Sequence, residues 1–261
     1  MKAKKIFVAV CPRSGTTIFA KLLDLAGLRS VNSELKNAKY PDGYYEHIPI
    51  LMFHKALERF PRKGRKHRCD YAITKDSFLS KEVLKDNFVN SIFEKAFHPI
   101  ISGRVDYIKY PQLALSVPFI FDVFANVHVI LVYRSPYENI HSISNKEFSW
   151  DMFPFKTARS IPLWSLYVYH IWKNNKKFSD RVTVINMNDV VNEKIKVSKV
   201  LKKVGVEYSS DVEASSVIDK SLWTHSIGSV ERMRIKLVSK ILYCSSISDD
   251  LKSLYNIELW N

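Results

Sequence analysis

The sequence predicts an α/β fold in which a parallel central sheet of about five strands is flanked by helices. The first observation is that short, strongly apolar runs such as VHVILVY (127–133) alternate with longer segments of helical periodicity. The second is that residues typical of tight turns and helix starts follow two of these runs directly. Because such a chain joins its strands through helical crossovers, the strands are expected to be parallel.

The predicted strands are 5–10, 71–75, 105–109, 127–133 and 182–187. The predicted helices are 16–26, 47–60, 80–97, 111–125, 136–147, 162–178, 189–204 and 230–243. Gly27 and Gly205 follow apolar-periodic stretches and are predicted to end helices. The aromatic, irregular segment 148–161 is predicted to be a loop, either a packed surface loop or a lid over a functional site.

The composition predicts one domain spanning residues 1–261. A chain of 261 residues can bury one large core, and no flexible linker or internal repeat interrupts it. Three cysteines, Cys11, Cys69 and Cys244, lack metal-ligand spacing, and their odd number argues against a disulfide framework. The sequence therefore predicts a reducing compartment, with Cys11 either somewhat reactive or a small apolar filler.

No targeting or membrane segment is predicted. The basic start is followed by only six apolar residues before Pro12, too few for a secretory signal. The most apolar long stretch, 113–133, contains Pro118, Asp122 and Asn126, which are unsuited to a lipid-facing helix. These features predict a soluble, cytoplasmic protein.

The segment CPRSGTT (11–17) lies between the apolar run 6–10 and a helical pattern, which predicts a strand, a tight loop and a helix start. Backbone N–H groups at such a helix start bind phosphate, and the helix dipole favours the negative charge. Arginine adds a permanent charge, hydroxyls add hydrogen bonds, and glycine lets the backbone approach closely. The candidate phosphate-binding residues are Arg13, Ser14, Gly15, Thr16 and Thr17.

This loop differs from the Walker A sequence G-x-x-x-x-G-K-[ST], because Val10 replaces the first glycine and Thr16 replaces the lysine. Its residues PRSGTT instead resemble the 5′-phosphosulfate loop of sulfotransferases that use 3′-phosphoadenosine-5′-phosphosulfate (PAPS). The resemblance implies a P-loop NTPase-like sulfotransferase fold, PAPS as the donor cosubstrate, and no metal.

A second candidate site follows the apolar run 127–133. Pro136 suits a first helical turn, so Arg134 is predicted to project from the carboxyl edge of the sheet, where open α/β sheets bind ligands. In sulfotransferases, an Arg at this strand end and a Ser eight positions later hold the 3′-phosphate of PAPS. Arg134 and Ser142 have this spacing, so the resemblance assigns them to PAPS binding. The alternative is a surface ion pair and a serine on a solvated helix face.

Further segments resemble bacterial sulfotransferases in the same order along the chain. They are GYYEH (43–47), KYPQL (109–113), LWSLY (163–167) and LWTH (222–225). Tyr110 and Gln112 differ from the family's Asp and Arg, and Met187-Asn188-Asp189 stands where Tyr-Glu-Asp is common.

Sulfuryl transfer requires positive charge where negative charge develops on the leaving phosphate. Arg13 and Lys109 are the candidates for this catalytic role. Lys109 ends a predicted strand, hence lies at the same sheet edge as the phosphate loop. Lys75 ends another predicted strand and is a competitor, but Pro111 after Lys109 matches the family. A solvated lysine is the alternative for either position.

Glu46 is the predicted general base, because related bacterial enzymes have Glu in this segment. A carboxylate beside Tyr44 and Tyr45 is expected to be partly desolvated, which raises its pKa toward the working range. His47 is the rival base, since imidazole titrates near neutrality without perturbation. Glu46 as a helix cap is the alternative.

The chain carries 40 Lys and Arg against 26 Asp and Glu, a net charge of +14 that attracts polyanions. The densest basic block, 59–68, fits a groove for an acidic glycan or lipid acceptor, a nucleic-acid patch or a solvated loop. No nucleic-acid-binding motif accompanies these charges, so no specific nucleic-acid partner is predicted. By resemblance, the expected acceptor is a hydroxyl on a glycan, a glycolipid or a small molecule.

Two other function classes remain open. A nucleoside or sugar kinase would share the fold and the first loop, but it needs a Walker lysine and a magnesium-binding Asp. A polyanion-binding protein without catalysis would explain the charge but not the spacing of Arg134 and Ser142.

Overall fold

The computed structural model describes residues 5–31, 48–59, 84–146, 154–206 and 227–246. These residues contain a four-stranded parallel sheet of order β2-β1-β3-β4. Its strands are β1 (Lys5–Val10), β2 (Tyr107–Lys109), β3 (Val127–Tyr133) and β4 (Val182–Asn186). The predicted α/β class is confirmed, with one strand fewer than expected among the described residues. The predicted strand 71–75 lies outside them.

Helices flank the sheet. They are α1 (Thr16–Leu25), α2 (Ile48–Arg59), α3 (Asn87–Ile101), α4 (Val117–Val123), α5 (Pro136–Lys146), α6 (Phe155–Lys177), α7 (Met187–Val191), α8 (Val197–Lys203) and α9 (Ser229–Ser246). A short 3-10 helix, Pro111–Leu115, joins β2 to α4. Within the described part of the chain, no helix is long and apolar enough to cross a membrane.

Strand β1 supplies side chains to two separate apolar cores because successive residues of a strand point to opposite faces. Phe7 and Ala9 belong to the core beneath α2 to α6, where many phenylalanine rings meet. Ile6 and Val8 belong to the smaller core beneath α1, α7 and α8. The sheet is therefore covered on both faces, which explains why its strands are almost uniformly apolar.

The register of the sheet brings the ends of β1 and β3 together. Val10 lies opposite Val132, and the amide of Cys11 donates to the Val132 carbonyl at 3.2 Å. Lys109 lies opposite Val8 on the other side of β1. Because all the strands are parallel, the segments that follow β1, β2 and β3 leave the sheet at one carboxyl edge.

The predicted loop 148–161 is wrong from residue 155 onward, where α6 begins. Thr157, Ser160, Ile161 and Trp164 are buried, and their spacing of three to four residues places them on one helix face. The helix start was not predicted because Thr157 and Ser160 on this buried face are polar, so the apolar residues alone do not show the helical period. Residues 147–153 of the predicted loop lie outside the described chain.

The predicted helix 189–204 is instead two helices, α7 and α8, and β4 ends at Asn186 rather than at 187. The Asn186 side chain accepts a hydrogen bond from the amide of Asn188 at 3.0 Å, so it caps α7 immediately after the strand. Glu193, with a φ of 60°, interrupts the helical path before α8.

Other boundaries shift for similar reasons. The predicted helix 80–97 begins at Asn87, because Asp86 caps it by accepting from the amide of Val89 at 3.0 Å, and it continues to Ile101. The predicted helix 111–125 is split into the 3-10 helix and α4, with Pro118 in the first turn of α4. Gly27 and Gly205 follow helices with φ of 80° and 78°, as predicted for helix stops.

Candidate functional site

The loop after β1 opens with a tight turn. The amide of Ser14 donates to the carbonyl of Cys11 at 3.2 Å, and Arg13 has a φ of 65°. A proline in the second position and a residue of positive φ in the third are features of a type II turn. Arginine is disfavoured in this left-handed region by about 1–2 kcal/mol, so the surrounding residues must hold it there.

The turn leads directly into the amino end of α1. Gly15 is the residue before the helix, with a φ of 81°, and its carbonyl accepts from the amide of Phe19 at 3.1 Å. The first amides of a helix have no partner within the helix, so those of Thr16 and Thr17 are suited to an anion. The first turn of α1 contains no acidic side chain that would compete for them.

The structure brings Arg13 and Ser142, which are 129 positions apart, into contact. The Nε of Arg13 donates to the Oγ of Ser142 at 3.4 Å. Ser142 lies on α5, the helix that follows β3, so its closeness to Arg13 results from the pairing of β1 with β3. The predicted phosphate loop and the second predicted motif are therefore in contact.

Arg134 lies between β3 and α5, and its side chain is largely buried. Its Nε donates to the Oε2 of Glu138 at 3.1 Å, and the same oxygen accepts from the Nδ2 of Asn188 at 3.0 Å. Burial lowers the pKa of the Arg134 guanidinium; the Glu138 carboxylate opposes this change, and the positive charge of Arg13 adds to it. Arg134 therefore lies close enough to Arg13 for their positive charges to repel each other.

Lys109 is almost completely buried, with 2% of its surface exposed. It lies two residues after Tyr107, hence on the same face of the sheet. The Tyr107 hydroxyl donates to the carbonyl of Ala20 at 2.9 Å, which identifies this face as the one covered by α1. Lys109 is therefore on the α1 side of the sheet, in the strand next to β1. Its catalytic role stays a prediction.

Several predicted residues lie outside the described part of the chain. They are Glu46, His47, Lys75 and residues 60–68 of the basic block. The identity of the general base, the comparison of Lys75 with Lys109 and the role of the block therefore stay predictions.

Sequence reasoning missed Asn139, which is fully buried and bridges α5 to the phosphate loop. Its Nδ2 donates to the carbonyl of Pro12 at 3.1 Å and to the Oγ of Ser14 at 3.0 Å. Its Oδ1 accepts from the Sγ of Cys11 at 3.2 Å. The sequence offered one clue, an asparagine on the same helix face as the apolar Ile143, but only the fold shows what it binds.

Two residues of the loop, Ser14 and Cys11, are fully buried. The Ser14 side chain is fully buried and faces Asn139, so its contribution to anion binding stays a prediction. Cys11 is fully buried, and burial raises the pKa of its thiol. A protonated, enclosed thiol is a packing element, which agrees with the apolar-filler interpretation of Cys11.

Among the residues that the structure describes, no group of three or more His, Cys, Asp or Glu side chains is placed to hold a metal ion.

The structure places two arginines, Arg13 and Arg134, at the carboxyl edge of a parallel α/β sheet. The family model described as "Sulfotransferase family" matches residues 5–210, and the chain belongs to this family. No curated protein sequence matches the chain.

Solved structures similar to this chain include the sulfotransferase domain from the olefin synthase of Synechococcus PCC 7002. It is 16% identical with a TM-score of 0.48, and the match covers 95% of this chain and 98% of that one. The sulfotransferase domain from the curacin biosynthetic pathway is 14% identical with a TM-score of 0.49, covering 92% and 98%. The sulfotransferase STF1 from Mycobacterium tuberculosis H37Rv is 12% identical with a TM-score of 0.49, covering 92% and 76%.

Proposed function

We propose that this protein transfers a sulfuryl group from PAPS to an acceptor hydroxyl. Membership of the sulfotransferase family supports sulfuryl transfer in general. The observation that supports PAPS in particular is that Arg13 and Arg134 follow the adjacent strands β1 and β3, and that Arg13 contacts Ser142 on α5. PAPS carries negative charge at both its 5′ and 3′ positions, and a site for it needs two separate sets of donors.

The loop residues 13–17 form the proposed site for the 5′-phosphosulfate. Amides at the start of α1 converge there, and the Arg13 guanidinium adds a charged donor. Arg134 and Ser142 form the proposed site for the 3′-phosphate. Glu138 accepts from the Nε of Arg134 and so orients the guanidinium that is proposed to meet the phosphate.

The proposed chemistry is an in-line displacement in which the protein supplies orientation and charge. Arg13 and Lys109 stabilise the negative charge that develops on the departing bisphosphate. Glu46, with His47 as the rival, accepts the proton of the acceptor hydroxyl. Lys109 suits this role because a buried ammonium acts more strongly on a neighbouring charge than a hydrated one.

The proposed acceptor is a hydroxyl on a glycan or a glycolipid. Its support is the overall resemblance of the sequence to the family, and Tyr110 and Gln112 depart from the family's pattern in segment 109–113. The basic block 59–68 would suit an acidic acceptor of this kind.

The binding test is calorimetric titration of the protein with adenosine 3′,5′-bisphosphate in the absence of magnesium. We expect the wild type to bind, and we expect Arg134→Ala to weaken binding by about 1.5–3 kcal/mol because a charge-assisted hydrogen bond is lost. The matched control is Arg29→Ala. Arg29 is an exposed arginine paired with Asp106, before β2 and thus at the opposite edge of the sheet. This control removes the same charge and should leave affinity nearly unchanged.

Catalysis is tested with radiolabelled PAPS and lysate fractions, by identifying the labelled product. Binding of ATP with magnesium in preference to the bisphosphate would support a kinase instead. A protein that binds neither nucleotide would be a polyanion-binding protein, and the proposed function would be wrong.

A further inference from the structure

We propose that Asn139 is a positioning residue that holds Arg13 in the conformation required to bind the donor. The inference rests on the proposed function, because its consequence for affinity assumes that Arg13 contacts the 5′ end of PAPS. Asn139 lies between Arg134 and Ser142 in the second motif, but neither motif assigns it a role, and its bonds connect α5 to the phosphate loop.

The proposal is supported first by the hydrogen bonds of Asn139, because both ends of its side-chain amide bond to the loop. Its Nδ2 donates to Pro12 and Ser14, and its Oδ1 accepts from the thiol of Cys11. The carbonyl oxygen of Pro12 can only accept, so the Nδ2 end must face it, and the amide orientation is fixed. Asn139 itself is 0% exposed, so water does not compete for these bonds.

The proposal is also supported by the identity of the peptide group to which Asn139 donates. The carbonyl of Pro12 belongs to the peptide bond that joins Pro12 to Arg13, and the orientation of this peptide distinguishes a type II turn from a type I turn. A type I turn would return Arg13 to a negative φ, which arginine prefers. The bond from Asn139 to Pro12 therefore opposes the relaxation of Arg13 from its φ of 65°.

The direction of the Arg13 side chain follows from this backbone conformation. In the observed turn its Nε reaches Ser142, at the junction of the two proposed phosphate sites. If the peptide rotated, the Cα–Cβ bond of Arg13 would point elsewhere and the guanidinium would leave this junction. Asn139 thus links α5 to the charge that meets the donor, without touching the donor itself.

The test is a double-mutant cycle on the affinity for adenosine 3′,5′-bisphosphate. Asn139→Ala should weaken binding roughly 10- to 100-fold in the wild-type background, the usual effect of removing a residue that orients a ligand-binding group. In the Arg13→Ala background it should add less than about threefold, since the group that it orients is already absent. Equal losses in both backgrounds would overturn the proposal, because a merely structural defect is additive.

The matched control is Ser144→Ala, which removes another buried polar side chain from the same helix. Ser144 donates to the Oγ of Ser160 at 2.8 Å and belongs to neither proposed phosphate site. We expect this variant to lose some thermal stability and to keep wild-type affinity. A loss of affinity equal to that of Asn139→Ala would overturn the proposal.

A structural measurement separates this proposal from the proposed function. In a crystal structure of the Asn139→Ala variant, we expect Arg13 to adopt a negative φ; an unchanged positive φ overturns the role of Asn139, whatever the nucleotide titrations show. Failure of the wild type to bind the bisphosphate would instead contradict the proposed function. Should the variant not fold, hydrogen exchange of the wild type, measured by NMR, decides. Strong protection of the side-chain Nδ2 protons of Asn139 from exchange supports the proposal, and rapid exchange overturns it.

Discussion

The carboxylate of Glu138 binds the guanidinium of Arg134 from one side, with 3.1 Å between Oε2 and Nε. The same oxygen accepts from Asn188, in the helix that follows β4. Arg134 is thereby oriented by two neighbouring elements, and a negative charge lies next to a proposed anion site. These two consequences of Glu138 have opposite effects on affinity, so they can be separated.

Glu138→Gln should keep an acceptor for Arg134 and remove the negative charge, so the affinity for adenosine 3′,5′-bisphosphate should rise several-fold. Glu138→Ala should also release Arg134, and its affinity should fall roughly tenfold below wild type. Titration calorimetry at low and high salt measures both effects, and the gain in the Gln variant should shrink with salt. If both variants lose affinity equally, the negative charge of Glu138 does not oppose binding, and this prediction is wrong.

Lys109→Met should lower kcat by roughly 100- to 1000-fold, the usual effect of removing one group that stabilises developing charge. Methionine has a similar length and suits the buried position, so the fold should be retained. Steady-state kinetics with labelled PAPS measures the effect. Lys176→Met, at the exposed end of α6, is the control and should have wild-type kcat. Wild-type kcat in Lys109→Met would exclude its catalytic role.

Glu46→Gln should depress turnover by orders of magnitude while leaving the affinity for the bisphosphate nearly intact, because a general base acts on the acceptor. The measurement is kcat alongside calorimetric affinity. His47→Gln is the matched variant at the neighbouring position. Unchanged turnover in Glu46→Gln with a loss in His47→Gln would transfer the role of base to His47.

Phe97→Ala should reduce the free energy of unfolding by about 3–5 kcal/mol because it opens a cavity in a rigid aromatic cluster. The Phe97 ring lies 4.8 Å from that of Phe93 and 5.4 Å from that of Phe53, between centroids. Urea denaturation measures the loss. Phe88→Ala, on the same helix but 57% exposed, should cost under about 0.5 kcal/mol. Similar losses in both variants would contradict the placement of the core.

Arg29→Ala should make stability less sensitive to acid. Hydrogen bonding from Arg29 lowers the pKa of Asp106, so the native pKa lies below the unfolded value of about 3.9. This pair therefore contributes stability above pH ~4, and the contribution disappears as the pH falls through the lowered pKa. Melting temperatures between pH 2.5 and 7 should show the wild type above the variant at pH 7 and level with it at the acid end. A constant difference across this range would contradict the prediction.

Local patterns were sufficient to predict most of the fold. The apolar run at β3 and the turn sequence at 11–17 each depend on neighbouring residues, and both elements appeared where predicted. Boundaries were less accurate where one side chain decides them. Asn186 and Asp86 start helices by accepting a single backbone amide, which hydrophobic periodicity does not reveal. The start of α6 was missed because polar residues occupy its buried face.

The candidate site was predictable only in part. Arg13 and Arg134 stood out because each follows a strand, and the structure pairs these two strands, β1 and β3, side by side. Asn139 and Glu138 did not stand out, because their importance depends on partners that are distant in sequence or on another helix.

The strand–loop–helix order, the two arginines at strand ends and the excess of positive charge depend on residue type and spacing along the chain, so the amino-acid sequence was enough to establish them. Three features came only from the folded chain: β1 and β3 are neighbours, Arg13 contacts Ser142, and Asn139 donates to the phosphate loop. Strand pairing and side-chain burial join residues more than a hundred positions apart, and no local pattern encodes which of these distant groups will meet.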